Sequence, residues 1–102
     1  MDINRWPGIS ELSTINNSKF SPGGSAFNVA CNLIYFNAPF KIYISGCIGN
    51  DKRGEQITKI FKNNNLSIKN IKKLENIQTS YTNVIISPNN KERTFFYYPG
   101  AN

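Results

Sequence analysis

Apolar residues between positions 25 and 37 recur at Phe27, Ala30, Cys31 and Ile34, the spacing of one helical face. Ala26, Val29, Leu33 and Phe36 fill most of the remaining faces. The spacing therefore predicts a helix over 25–37 that is covered on more than one side. Asn37-Ala38-Pro39 stops it, because the residue before a proline is pushed out of the helical region. Residues 40–45, Phe-Lys-Ile-Tyr-Ile-Ser, are β-branched and aromatic and predict a strand. Residues 46–51 predict its exit loop, with Asp51 capping a second helix from Lys52 to about Asn64. Ile57, Ile60 and Phe61 form that helix's apolar stripe, and Asn63-Asn64-Asn65 ends it. Helix, strand, helix with short loops is α/β punctuation, and the strand is expected in a parallel sheet.

The pattern then changes period. Residues 68–74 predict a short strand. Residues 78–87 alternate, with Tyr81, Asn83 and Ile85 on one face and Thr82, Val84 and Ile86 on the other. Pro88-Asn89-Asn90-Lys91 predicts a turn, and residues 93–98, Arg-Thr-Phe-Phe-Tyr-Tyr, a second strand, so this part reads as a β-hairpin. The first 20 residues read as irregular. Trp6-Pro7-Gly8 is a turn signal, and residues 10–20 alternate weakly enough for one or two short strands.

Composition narrows the functional classes. With 102 residues the chain is one domain or a piece of one. It contains no histidine, which excludes a His-based triad or a His-rich metal site. Cys31 and Cys47 stand among apolar residues and are expected to be buried free thiols. No apolar run reaches the length of a membrane span and the N-terminus has no signal-peptide core, so a cytoplasmic protein is expected. The net charge is +6, and seven of the twelve basic residues fall between Lys52 and Lys73. Lys52, Arg53, Lys59 and Lys62 fit the polar face of the second helix, so the charge reads as a solvated face and no nucleic-acid partner is expected.

The candidate chemistry lies at Ser21-Pro22-Gly23-Gly24-Ser25-Ala26-Phe27-Asn28. A Gly-Gly turn feeding a helix lets a ligand approach the main chain closely. Ser25 is expected as the N-cap, with Asn28 in the first helical turn. The turn would offer backbone N–H groups, the positive end of a helix dipole and one amide that can both donate and accept. That set suits a polyhydroxylated ligand, although alone such a turn is more often only a turn.

Three blocks stand in order: Pro22-Gly23-Gly24-Ser25-Ala26-Phe27-Asn28-Val29-Ala30, Gly46-Cys47-Ile48-Gly49-Asn50-Asp51-Lys52-Arg53-Gly54, and Glu92-Arg93-Thr94-Phe95-Phe96-Tyr97-Tyr98-Pro99-Gly100-Ala101-Asn102. Together they resemble the N-terminal part of the ribokinase/PfkB carbohydrate kinase family. The first is similar to its Gly-Gly signature with an Asn on the helix, the second to its G-x-x-G-x-D-x-x-G block, and the third to the strand leading into its P-G-A-N loop. The resemblance implies an α/β, ribokinase-like fold, a Rossmann-like core fragment with a small β-sheet lid. The core piece would span about 24–64, and lid strands would lie at about 10–20, 78–87 and 93–98. It implies an ATP-dependent kinase acting on a hydroxymethyl group of a sugar or nucleoside. Gly23, Gly24 and Asn28 would hold substrate hydroxyls. In the G-x-x-G-x-D-x-x-G block, Gly46 and Gly49 would turn the chain and Asp51 would cap the helix that Gly54 begins.

The departures shape the expectation equally. Family members are longer, and their catalytic Asp lies in a G-A-G-D motif that is absent here, as is a Walker A motif. The family's first strand ends in a sugar-binding Asp, and Asp2 stands near that place. The chain is thus expected to carry a substrate wall and lid with no catalytic residue and no metal site. ATP and Mg2+ are implied for the complete enzyme only, and the chain alone is expected to be inactive. The hairpin aromatics Phe95 to Tyr98 also allow a homodimer through lid strands or a purely interacting fragment. Tyr81 and Tyr97 keep an adenosine-like nucleoside open as substrate.

Overall fold

The computed structural model describes residues 1–89 and 91–102. Its elements are β1 (Asp2–Ile3), β2 (Ile15–Asn17), α1 (Ser25–Tyr35), β3 (Gly46–Gly49), α2 (Lys52–Asn63), β4 (Ile71–Leu74), β5 (Tyr81–Ile86) and β6 (Arg93–Tyr98). The chain divides into two compact units. One holds Met1–Ser21 and Tyr81–Tyr98, the other Pro22–Ser80 and Pro99–Asn102. The whole is the mixed α/β arrangement that the periodicity predicts.

The larger unit is built from α1, α2 and the parallel pair β3–β4, in register from Gly46↔Ile71 to Gly49↔Leu74. Ala30, Ile44, Phe61 and Leu66 form its buried cluster, with Phe27, Cys31, Ile34, Ile57 and Ile71 packed around them. The four apolar positions that define the α1 face all point into this cluster. Phe27 and Phe61 stack across it, with ring centroids 5.3 Å apart. The opposite side of α1 stays open: Val29 is 56% and Tyr35 80% exposed. The cover expected on that side is thus not supplied by the described residues. α1 stops at Tyr35, two residues earlier than the spacing predicts, and Asn37 takes a positive φ of 52°.

The strand expected over 40–45 does not form. Only Tyr43 makes a bridge there, to Ser67, and the ladder begins at Gly46, where a loop is expected. A β-prone run becomes a strand only where a neighbour continues alongside it. β4 lies beside residues 46–49, and Ile44 instead turns its side chain into the core. Both cysteines are free and half-buried, not fully enclosed.

The smaller unit is a four-stranded sheet in the order β2-β1-β5-β6. β5 and β6 pair antiparallel from Tyr81↔Tyr98 to Ile86↔Arg93, as the alternation predicts. The turn expected at 88–91 includes Asn90, which lies outside the described residues. β1 was not expected: Asp2–Ile3 is too short to show a period, yet it pairs antiparallel with β2 and parallel with β5. Residues 5–13 loop out, tied by Arg5 to Glu11 at 2.7 Å and by the Gly8 N–H to the same carboxylate at 2.9 Å.

Candidate functional site

Gly24 takes φ +89° and ψ 147°, a conformation open essentially only to glycine. It occupies the N-cap of α1, and Ser25, expected there, is instead the first helical residue. Among the described residues no side chain caps the helix, and its first turn carries no acidic residue. Its N–H groups and the positive end of its dipole are therefore left without a side-chain partner. The Asn28 N–H closes the first turn on the Gly24 carbonyl at 3.1 Å. That bond sets the exposed Asn28 side chain one turn above the cap, and the side chain makes no hydrogen bond among the described residues.

The two glycines differ in why they are glycine. A Cβ at either position would meet nothing within 4 Å. Gly24 is demanded by its φ. Gly23 has a negative or extended φ and open space, so neither conformation nor internal packing demands it. An open groove of about 380 Å³ starts at Ser25 and Ala26 and runs past Val29, Leu33 and Tyr43, but Gly23, Gly24 and Asn28 do not line it.

The second block builds a different object. Asp51 caps α2, its Oδ1 accepting from the Gly54 N–H at 2.9 Å. The same Oδ1 accepts from the Thr79 hydroxyl at 2.6 Å, and Oδ2 accepts from the Thr79 N–H at 2.8 Å. The Thr79 hydroxyl in turn accepts from the Gly49 N–H at 2.8 Å. The Thr79 hydroxyl holds the Asp51 carboxyl below its ordinary value of 3.8. Desolvation opposes this, while the Gly54 and Thr79 N–H groups and the positive Arg53 add to it. Gly49 and Gly54 are needed because a Cβ would come within 2.3 Å of the Ile77 carbonyl and 2.4 Å of the Gly49 carbonyl respectively. Gly46 and Gly49 end up as the two ends of β3, in place of the expected turn, and Gly54 is the third residue of α2. Every polar group in the cluster is spent on another, so it is a structural knot. Sequence reasoning missed Thr79, which stands 28 residues from Asp51 with no spacing rule to connect them.

Among the described residues no three His, Cys, Asp or Glu side chains come together as a metal site. No helix among them is long and apolar enough to cross a membrane.

The pattern of the pfkB family carbohydrate kinases matches residues 2–102. The chain belongs to that family. No curated protein sequence matches it. Solved structures share its fold at low identity. The ribokinase of Thermotoga maritima is 15% identical with a TM-score of 0.81, covering 98% of this chain and 32% of its own. The nucleoside kinase of Methanocaldococcus jannaschii is 18% identical with a TM-score of 0.82, with the same coverage. The Arabidopsis thaliana ribokinase, complexed with ribose and ATP, is 20% identical with a TM-score of 0.81, covering 99% of this chain and 33% of its own. The pfkB-family chain thus spans about a third of the length of these relatives.

Proposed function

We propose that this chain supplies the substrate wall and the lid of an ATP-dependent kinase that phosphorylates a hydroxymethyl group of a sugar. The observation that carries the reading is the uncapped Gly23-Gly24 turn with the unengaged Asn28 one turn on. A polyol needs donors and acceptors close together, and this turn presents main-chain N–H groups beside an amide that does both. Gly23, free of any internal demand for glycine, is accounted for if a ligand approaches the main chain there. In this reading the four-stranded sheet is the lid. The relative solved with ribose and ATP supports both the substrate class and ATP as phosphoryl donor.

Phosphoryl transfer depends on positioning and on stabilising charge at the transferring group. This chain's residues hold and orient hydroxyls, and none of them is assigned a proton-transfer role. The reading therefore gives residues 1–102 no turnover alone, and it assigns the enzyme to the cytoplasm with no nucleic-acid partner. A second reading, a dimer through the sheet, is favoured by β6, whose six residues are all exposed and include Phe95, Phe96 and Tyr97. A nucleoside in place of a sugar is favoured by the nucleoside kinase of Burkholderia thailandensis, solved in complex with inosine and 16% identical with a TM-score of 0.77.

An NMR titration of the 102-residue chain with ribose tests the site. Shifts concentrated at Gly23, Gly24 and the Asn28 side-chain amide, lost in Asn28→Ala, are expected. Binding that survives Asn28→Ala, or shifts confined elsewhere, would refute it. A coupled ATP-consumption assay on the same sample should stay flat.

A further inference from the structure

α1 carries two apolar stripes. Phe27, Ala30, Cys31 and Ile34 face the core of the larger unit. The second stripe, Ala26, Val29, Leu33 and Phe36, steps by three, four and three residues, the spacing of a coiled-coil seam. The described residues do not close over it. Val29 is 56% and Phe36 76% exposed, Ala26 is exposed and Leu33 is half-buried. The open groove of about 380 Å³ runs along the same side, between Ala26, Val29 and Leu33 on the helix and residues 42–45 opposite.

The stripe is graded in size, from a methyl group at Ala26 to a phenyl ring at Phe36. A second copy of the same helix, laid antiparallel, matches that gradient layer by layer. Ala26 meets Phe36 of the second copy, Val29 meets Leu33 of the second copy, and the two-fold axis repeats both layers in reverse. Each layer then pairs a small side chain with a larger one, as close packing requires. A parallel pair would set ring on ring at Phe36 and methyl on methyl at Ala26, overfilling one layer and underfilling another. α1 has no charged side chain, so two copies of a chain of net charge +6 meet here without facing like charges. Antiparallel helices also set opposite ends of their dipoles side by side.

We propose that the open side of α1 is the interface of a symmetric dimer, in which α1 packs antiparallel on α1 of a second copy in the register Ala26–Phe36 and Val29–Leu33. This contact is separate from pairing through β6. Four side chains per copy make a small interface, so the dissociation constant is on the order of 100 µM and the dimer is absent at the low protein concentrations of an unfolding experiment.

Sedimentation velocity of the 102-residue chain, over about three decades of concentration around that value, tests the proposal. The parent should pass from monomer to dimer. Val29→Lys, at an exposed position, should stay monomeric throughout, because the dimer would bury two charges without partners. An equimolar mixture of Val29→Lys with Leu33→Glu should dimerise again, since this register sets the two new charges face to face. If Leu33→Glu does not fold by circular dichroism, the exposed pair Ala26→Glu and Phe36→Lys reads the outer layer in the same way. A parent that is monomeric at every concentration overturns the proposal, and so does a mixture of folded variants that fails to recover the dimer. A dimer that survives Val29→Lys and is lost in Phe95→Lys is the sheet dimer instead and equally overturns it.

Discussion

The Thr79 hydroxyl donates to one oxygen of the Asp51 carboxylate at 2.6 Å while the Thr79 N–H donates to the other at 2.8 Å. One aspartate thereby caps α2 and fixes a strand entrance 28 residues away. Thr79→Val keeps the shape but deletes a charge-assisted bond and leaves the buried Gly49 N–H without its acceptor. Both losses fall on enclosed groups, so the expected cost is about 2–4 kcal/mol. Urea denaturation of the two proteins measures it, and Thr79→Ser should recover most of the loss.

The same carboxylate sets an acid limit. The folded state holds Asp51 below 3.8, its ordinary value and the one it regains on unfolding. Below 3.8 the unfolded chain therefore binds more protons than the folded one. The contribution is fully present above 3.8 and is lost as pH falls through the lower folded value. Asp51→Asn should remove that acid-side slope while lowering stability at neutral pH. The exposed Glu11, also lowered by its hydrogen bonds from Arg5 and Gly8, leaves only a small residual slope. Denaturant midpoints across an acid series, parent against variant, show whether the slopes differ.

Period and local chemistry explain which elements were legible in the sequence. Phe27, Ala30, Cys31 and Ile34 repeat often enough to define α1, and Asp51 with the Ile57–Phe61 stripe defines α2. The hairpin was legible because residues 78–87 alternate and the aromatic run Arg93–Tyr98 follows a Pro-Asn turn signal. β1 was not, because two residues carry no period. Residues 40–45 misled because strand propensity says nothing of where the partner strand lies, and the partner of Gly46–Gly49 is Ile71–Leu74. The Gly-Gly turn and Asn28 were legible from their spacing, whereas the cap assigned to Ser25 slipped by one residue to Gly24. Thr79 was invisible because its role is defined only by long-range contacts.

Glycines with and without a packing reason should respond oppositely. Gly49→Ala sets a Cβ 2.3 Å from the Ile77 carbonyl, a backbone atom that cannot swing aside. The expected destabilisation is about 3 kcal/mol or failure to fold. Gly23→Ala meets nothing within 4 Å, so stability should change by no more than about 0.5 kcal/mol. Ribose binding is the quantity that Gly23→Ala should weaken, if the main chain there lies against the ligand. Thermal unfolding and a ribose titration on both variants separate the two roles, and a stable Gly49→Ala would count against the knot.

The core of the larger unit depends on α2 more than on any exposed residue of α1. Phe61 is buried and stacks on Phe27 at 5.3 Å with the rings nearly parallel, 8° apart. Ala30, Ile44 and Leu66 surround it. Phe61→Ala removes a ring that neither helix can replace and leaves a cavity, at an expected cost of about 3–5 kcal/mol. Much of a small unit's stability would go with it. Val29, on the open side of the same helix as Phe27, is 56% exposed, and Val29→Thr should stay within about 0.5 kcal/mol. Urea midpoints for both variants decide the point: equal losses would mean that the exposed side of α1 is covered in solution.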